Sequence, residues 1–290
     1  MSRRIVVLVN PSAGSAERGQ LERALHAAGI RAELREAGPE QLAEAAVRAA
    51  DDADIVAIGG GDGTVNAVVS AIGDRDVTLA ILPLGTLNHL ARDLGVPDDL
   101  DGAVALLRDG PTRRIDVGEV NGRVFLNNSS IGLYPEAVRQ RDAAERRGAS
   151  RWPAMAIATV RALRRYPLLD VRIEAGETLR ACSTPLVLVG NNRYDLSMAG
   201  AGGRERLDGG HLVIYAARDP RRMGLLRLAW WAVRGRLERH PEVEFASAAA
   251  ATVGSRRPAL DVAVDGEVMR LDTPLRYRIR PAVLEVVAPP

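Results

Sequence analysis

Short aliphatic runs alternate with amphipathic helical patterns over the first hundred residues, and this alternation constrains the fold more than any other feature of the sequence. Each apolar run ends at a turn cluster, and a helical pattern follows. The second helix is predicted to begin at Pro39, because proline is favoured in the first turn. Strands that alternate with helices predict a three-layer α/β domain with a parallel sheet. The predicted strands are residues 4–9, 30–35, 54–58 and 78–82, and the predicted helices are residues 14–28, 39–50, 64–72 and 86–94.

After about Pro111 the pattern becomes typical of antiparallel strands. Asn121-Gly122 lies between two apolar segments and is the strongest short hairpin signal, and Asp265-Gly266 marks another tight turn. The predicted elements are the hairpin strands 113–120 and 123–130, the helices 133–146 and 153–165, and the strands 169–174, 185–190, 211–217, 242–246, 260–264 and 275–280. This half is therefore expected to form a β-sandwich or a barrel-like domain.

A chain of 290 residues is long enough for two domains. We predict an α/β domain over residues 1–115 and a β-rich, sandwich-like domain over residues 116–280. We also expect the C-terminal segment, residues 281–290, to return to the first domain.

The sequence contains no lysine, so all of its fixed positive charge is arginine. This excludes a P-loop, a protein kinase of the usual type and a Schiff-base enzyme, each of which needs a lysine. Any phosphate must be bound by backbone N–H groups, arginine, hydroxyl groups or a metal ion. The net charge of +2 gives no argument for nucleic acid as a partner.

The composition predicts a soluble protein, or one that binds at most to a membrane surface. The apolar run at residues 5–9 is too short for a signal peptide, and no stretch reaches the roughly 18 apolar residues of a membrane-spanning helix. Cys182 is the only cysteine, so no internal disulfide is possible, and a small buried hydrophobic role is the simplest interpretation. We expect a cytoplasmic location, either free or peripheral at the inner face of the membrane.

The loop Gly59-Gly60-Gly61-Asp62-Gly63-Thr64 stands between a buried strand and a helix. Glycines let the backbone approach a phosphate closely, and a helix N-terminus offers N–H groups and a positive dipole end. Asp62 could hold a magnesium-bound water. The alternatives are a generic glycine turn and a purely structural helix cap at Thr64.

Two further loops share this arrangement. Leu82-Pro83-Leu84-Gly85-Thr86-Leu87-Asn88 follows the fourth strand, and Asn10-Pro11-Ser12-Ala13-Gly14 follows the first. Ligands of open α/β sheets bind at the carboxyl ends of strands. Three such loops therefore predict a phosphate-binding edge.

These loops, with Ile115-Asp116, Leu207-Asp208-Gly209-Gly210 and Asp265-Gly266-Glu267, resemble the diacylglycerol kinase catalytic-domain superfamily in its bacterial lipid-kinase branch, related to sphingosine kinases. The resemblance covers nearly the whole chain. It implies a kinase that uses ATP and Mg²⁺ to phosphorylate a lipid hydroxyl, with a nucleotide-binding α/β domain, a β-sandwich domain and a cleft between them. The Gly-Gly-Asp-Gly element alone is shared with NAD kinases and phosphofructokinases.

The resemblance also implies roles for individual residues. Glu267 is expected to take the proton from the attacking hydroxyl, and Asp62 is the second catalytic acid. Asp208 is expected to hold a structural divalent ion with the main-chain carbonyls of Glu205 and Gly210, and Asp116 to join Asp62 in a water-mediated magnesium network. The residues expected to bind ATP are Asn10, Gly60, Gly61, Asp62, Gly63, Thr64, Asn66, Gly85 and Thr86.

Each acid also has a plain structural interpretation. Glu267 could be an ordinary surface acid of a hairpin, Asp208 a turn residue, and Asp116 a structural acid at a domain junction. One position departs from the family pattern: many members have Asp directly after Asn88, where this chain has His89. Asp93, one helical turn later, is the candidate to replace that carboxylate. His89 itself is better interpreted as a polar cleft residue than as a metal ligand.

A lipid substrate requires contact with a bilayer. Residues 221–239 combine six arginines with Trp230 and Trp231, which is typical of an interfacial helix. The alternative is a helix that packs its apolar face on the core. Trp152 with the arginines of residues 161–165 is a weaker second candidate.

The leading hypothesis is a lipid kinase acting on a diacylglycerol-like acceptor. One alternative is an NAD kinase-like small-molecule kinase, and the other is a non-catalytic nucleotide- or lipid-binding protein of the same fold. The second loop favours the lipid kinase. Neither the acceptor lipid nor the oligomeric state is specified by the sequence.

Overall fold

The computed structural model describes residues 3–10, 14–85, 88–136, 138–139, 168–194, 203–204, 206–217 and 243–289. The chain divides into two compact units, residues 1–117 together with 281–290, and residues 118–280. The predicted division between residues 115 and 116 lies close to this boundary, and the C-terminal segment belongs to the first unit.

The first unit is built on a parallel sheet. Its strands lie in the order β2-β1-β3-β4-β16, and every pairing of known register between them is parallel. Both β1 and β3 are buried along their whole length, because helices cover both faces of a parallel sheet. The strands are β1 (Ile5–Val9), β2 (Ala32–Glu36), β3 (Ile55–Gly60), β4 (Thr78–Pro83) and the last part of β16 (Leu275–Val287). The predicted α/β class is confirmed.

The helices of the first unit differ from the predicted ones mainly at their ends. The second helix begins at Leu42, so its predicted start at Pro39 is wrong. The helix predicted over residues 86–94 is present but shorter, because Asn88 adopts a left-handed conformation as its N-cap residue and the helix covers only His89–Asp93. One helix was not predicted, although Asp99 caps it by accepting a hydrogen bond from the Gly102 N–H. The described helices are α1 (Gly14–Ala27), α2 (Leu42–Asp52), α3 (Asp62–Ile72), α4 (His89–Asp93) and α5 (Leu100–Asp109).

The second unit is a β-sandwich, as predicted. One sheet has six antiparallel strands in the order β12-β11-β10-β7-β14-β15, and the other contains the antiparallel order β16-β13-β8-β9. Apolar side chains from both sheets form one core. The strands are β5 (Thr112–Val120), β6 (Arg123–Phe125), β7 (Asn128–Gly132), β8 (Leu169–Ala175), β9 (Thr178–Thr184), β10 (Leu186–Asn191), β11 (Leu212–Ala217), β12 (Val243–Ala248), β13 (Ala250–Ser255), β14 (Ala259–Val264), β15 (Glu267–Asp272) and the first part of β16.

Both predicted two-residue turns are present. Asn121 and Gly122 have φ values of 46° and 79°, and Asp265 and Gly266 have values of 46° and 86°, so each turn has the two positive φ angles of a type I′ hairpin. The single strand predicted over residues 123–130 is instead two strands, β6 and β7. Strands β9, β13 and β15 were not predicted.

The sequence also predicted helices that the structure leaves largely undescribed. Residues 133–136 are helical, but most of the segments 133–146 and 153–165, and all of 221–239, lie outside the described residues. Within the described part of the chain, no helix is long and apolar enough to cross a membrane.

Tyr277 places a polar group inside the sandwich core. Its ring meets Phe125 edge to face at 6.4 Å between centroids, and its hydroxyl lies 3.3 Å from the Ser129 hydroxyl. Burial raises the pKa of Tyr277 to about 12, because the charged phenolate would lose its hydration.

This burial predicts a specific loss of stability in alkali. The unfolded chain releases the Tyr277 proton near pH 10 and the folded chain only near pH 12, so the stabilisation is complete below pH 10 and is lost as pH rises toward 12. Over that range wild type should lose about 3 kcal/mol of unfolding free energy more than Tyr277→Phe. Urea unfolding of both proteins across this range is the measurement. An equal loss in the two proteins would contradict the prediction.

Candidate functional site

Three loops of the first unit start at the same edge of its sheet. Val9 pairs with Gly59 across β1 and β3, and Gly59 pairs with Leu82 across β3 and β4. Asn10 is half-buried directly after β1. Residues 11–13, and Thr86 and Leu87 in the third loop, lie outside the described residues. The register thus places the start of each predicted phosphate loop at the carboxyl end of its strand.

The glycine loop is tighter than predicted. Strand β3 continues through Gly60 and α3 begins at Asp62, so the predicted helix start at Thr64 is wrong and Thr64 is not the N-cap residue. The Thr64 side chain packs over Gly60, where an added Cβ would come within 2.7 Å of it. Gly60 is therefore required by this internal contact.

The second loop packs directly against the first. A Cβ on Gly85 would lie 2.4 Å from the Gly61 Cα, so the two backbones approach too closely for any side chain at residue 85. Asn88 closes the second loop on itself. Its Oδ1 accepts a hydrogen bond from the Gly85 N–H at 3.1 Å, and its Nδ2 donates to the carbonyls of Gly85 at 2.8 Å and Pro83 at 3.2 Å.

Asp62 ties the two loops together through hydrogen bonds to the backbone. Its Oδ2 accepts from the His89 N–H at 3.1 Å and its Oδ1 from the Leu90 N–H at 3.2 Å, so its carboxylate fills the N-terminus of α4. Asp62 therefore contacts the backbone N–H of His89 and not its side chain, which is exposed. Replacement of the family's Asp by His89 leaves these contacts intact.

Among the described residues, no side chain caps the N-terminus of α3, in contrast to that of α4. Its N-cap residue, Gly61, has no side chain to accept a hydrogen bond, and the first helical bond runs from the Val65 N–H to the Gly61 carbonyl. The preceding amides of Asp62, Gly63 and Thr64 have no acceptor among the described residues. Such a helix end attracts an anion through its N–H groups and its dipole.

Two further predicted residues of the first unit, Asn66 and Asp116, make contacts of their own. Asn66 is half-buried on α3 and accepts a hydrogen bond from the Ser70 hydroxyl at 3.3 Å. Asp116 is 2% exposed, and its Oδ1 accepts from the Ala282 N–H at 2.9 Å. That contact fits the structural interpretation of Asp116, and its magnesium role stays a prediction.

The predicted structural metal site belongs to the second unit. Asp208 is exposed and accepts a hydrogen bond from Arg206 Nε at 3.0 Å, and Gly210 has a φ of 71°. Glu205 lies outside the described residues. No group of three His, Cys, Asp or Glu side chains suited to a metal occurs in the described ranges. The predicted ligands include main-chain carbonyls, so this site also stays a prediction.

Glu267 is the first residue of β15 and follows the Asp265-Gly266 turn. It is exposed, and its carboxylate makes no hydrogen bond or ion pair to any described residue. A carboxylate without such partners keeps all of its lone pairs available to accept a proton.

Two site residues were missed by sequence reasoning. Asn88 was noted within its motif but given no role, and Asp265 was treated only as a turn residue. The available signal was the residue type, since Asn and Asp tolerate positive φ and bind nearby backbone groups.

Comparison with known proteins places these features in a family. The diacylglycerol kinase catalytic domain matches residues 4–120, and the YegS C-terminal NAD kinase beta sandwich-like domain matches residues 130–288. A diacylglycerol kinase of Staphylococcus epidermidis strain RP62A is 28% identical over 280 residues, which cover 92% of this chain and 86% of that protein. A diacylglycerol kinase of Staphylococcus haemolyticus strain JCSC1435 is 30% identical over 250 residues, which cover 86% and 74%.

Solved structures share the whole fold. The crystal structure of a diacylglycerol kinase from Bacillus anthracis strain Sterne has a TM-score of 0.75 at 19% identity and covers 100% of this chain and 98% of its own. At 19% identity, similarity to this structure shows only that the two proteins share a fold. The matched domains and the staphylococcal relatives show more: the chain belongs to the diacylglycerol kinase family of lipid kinases.

Proposed function

We propose that this protein transfers the γ-phosphate of ATP, with Mg²⁺, to the hydroxyl group of a diacylglycerol-like lipid. The observation that carries the proposal is the contrast between two neighbouring helices of the first unit. The N-terminus of α4 is filled by Asp62, whereas no described side chain caps that of α3. An anion is therefore attracted to one of the two helix ends and excluded from the other.

In this proposal the amides at the start of α3 bind the phosphates of ATP. Gly61 and Gly85 let the two loop backbones come into close contact, and glycine also lets a backbone approach a phosphate closely. The chain has no lysine, so the N–H groups and the hydroxyls of Thr64 and Thr86 carry the recognition. Asn10 and Asn66 complete the proposed ATP contacts.

When Mg²⁺ is bound, it neutralises part of the negative charge of the phosphates. Asp62 is half-buried and uses one lone pair of each carboxylate oxygen on α4, so both oxygens can accept a further bond from a metal-bound water. Asp116 is the proposed second acid of this network. Asp208, with the carbonyls of Glu205 and Gly210, is proposed to hold a separate structural cation.

Glu267 is the proposed general base. Its carboxylate accepts the proton of the acceptor hydroxyl as that oxygen forms its bond to the γ-phosphorus. The bond from the γ-phosphorus to the bridging oxygen breaks, and ADP leaves. The absence of hydrogen bonds from Glu267 to the described residues supports this role, because no side chain among those residues competes for the proton.

Peripheral binding at the inner face of the membrane is part of the same proposal, since the acceptor is a lipid. The segment proposed to touch the bilayer, residues 221–239, lies outside the described residues. A kinase acting on NAD is the second candidate, because residues 130–288 match the YegS C-terminal NAD kinase beta sandwich-like domain.

Glu267→Gln should lower kcat by about a hundredfold or more, because the amide cannot accept the proton. ATP affinity should not change. The measurement is transfer of labelled phosphate from ATP to a panel of lipids and to NAD, with products identified by mass spectrometry and ATP binding followed by calorimetry.

The matched control is Glu177→Gln, which changes another exposed hairpin acid of the same unit that has no partner among the described residues. It should behave as wild type. Full turnover in Glu267→Gln would remove this residue from the mechanism, and transfer to NAD with none to lipid would favour the second candidate.

Gly85→Ala should weaken ATP binding by about tenfold or more, since its Cβ would lie 2.4 Å from the Gly61 Cα and push the loops apart. Gly73→Ala is the control: it has a φ of 60° and open space around the added Cβ. It should lose stability, because its φ of 60° and ψ of −124° disfavour any residue with a Cβ, and it should keep its ATP affinity. Calorimetric titration measures the ATP affinity of each variant, and thermal unfolding measures its stability. Unchanged affinity in folded Gly85→Ala would place the nucleotide elsewhere.

A further inference from the structure

Asp265 binds three consecutive amides that connect β6 to β7. Its Oδ2 accepts a hydrogen bond from the Leu126 N–H at 2.7 Å, and its Oδ1 accepts from the Asn127 N–H at 2.9 Å and the Asn128 N–H at 3.0 Å. Its own N–H donates to the Asn128 carbonyl at 2.9 Å. Hydrogen bonds to an ionised carboxylate are the strong ones. The turn at Asp265 is therefore tied firmly to a segment far away in sequence.

The segment that Asp265 binds, residues 126–128, is also held by two buried side chains, Arg204 and Asn191. Arg204 is 6% exposed and donates to the Leu126 carbonyl at 2.5 Å and to Asn127 Oδ1 at 3.0 Å. The buried Asn191 side chain donates to the same Leu126 carbonyl at 2.8 Å. A buried and satisfied network of this kind is rigid. The amides that Asp265 binds are thus a fixed platform.

The backbone position of Glu267 depends on this platform. Asp265 and Gly266 are the two central residues of a type I′ turn, and Val264 pairs with Glu267 across it. Glu267 has no hydrogen bond or ion pair of its own to a described residue, so nothing else among those residues orients its carboxylate. The Asp265 carboxylate and the β14–β15 pairing together fix the backbone from which the Glu267 side chain extends, and the carboxylate is the side-chain contact among them.

We infer that Asp265 is a positioning residue that aims Glu267, an inference that rests on the proposed role of Glu267 as the base. Asp265→Asn is a clean test because Asn tolerates the same positive φ. The new amide nitrogen is a donor that faces a backbone N–H donor, so part of the anchorage is lost while the turn type is kept.

The experiment is a double-mutant cycle on the full-length protein with Glu267→Gln, with phosphate transfer to lipid as the readout. Asp265→Asn alone should lower kcat by about tenfold to a hundredfold, through misplacement of the base, and leave the KM for ATP unchanged. In the Glu267→Gln background it should cause no further loss, because it acts only through Glu267. Additive losses would overturn the inference, since a general structural defect adds in both backgrounds.

Asp272→Asn is the matched control, because Asp272 is exposed at the other end of β15 and its side chain has no partner among the described residues; its main-chain carbonyl, which accepts a hydrogen bond from Asn121 Nδ2, is unchanged by the substitution. It should leave kcat unchanged. A kcat for Asp265→Asn equal to that of wild type would also overturn the inference.

Hydrogen exchange keeps the test independent of activity. In Asp265→Asn, amide exchange over residues 265–268 and 126–128 should be about tenfold faster than in wild type, through loss of charge-assisted bonds. Unchanged exchange there would refute the anchoring itself. Failure of the proposed function can be told apart from failure of this inference. If the proposed function were wrong, wild type would transfer no phosphate to any lipid, but Asp265→Asn would still exchange its amide hydrogens faster.

Discussion

Carboxylates that bind main-chain amides hold together the loops on which both candidate sites depend. Asp62 caps α4 from a neighbouring loop, Asp116 binds the amide of Ala282, and Asp265 binds three amides at once. Buried or half-buried N–H groups must find acceptors, and an aspartate from a distant segment supplies one without adding bulk. The loops are ordered because distant parts of the chain satisfy their polar groups.

The same rule explains why the proposed phosphate site lies at α3. Asp62 fills the end of α4, whereas no described side chain caps that of α3. The Gly61 and Gly85 backbones lie in close contact beside that end. In a chain without lysine, the proposed site relies on amides and hydroxyls in place of the ammonium group that other phosphate-binding loops use.

Local patterns predicted those parts of the molecule that local physics controls. The buried strands β1 and β3, the Asn121-Gly122 turn and the three strand-end loops were all predictable, because runs of aliphatic residues and turn dipeptides act over a few positions. Strand β9 was missed because its residues are mostly exposed and show little apolar alternation. The contacts of Asp62 with α4 and of Asp265 with Asn127 join residues 27 to 138 positions apart, so no local pattern could reveal them. The resemblance named candidate site residues, but it did not say what each one contacts.

Strands β5 and β16 contribute residues to both units, and this has an evolutionary consequence. The first part of β16 pairs with β13 in the second unit, and its last part pairs with β4 in the first. A gene fragment that encoded only residues 1–117 would lack the strand that covers β4 and would expose a sheet edge. The first unit is therefore not encoded by one continuous stretch, and a gene fragment that carries all of it must also carry residues 281–290.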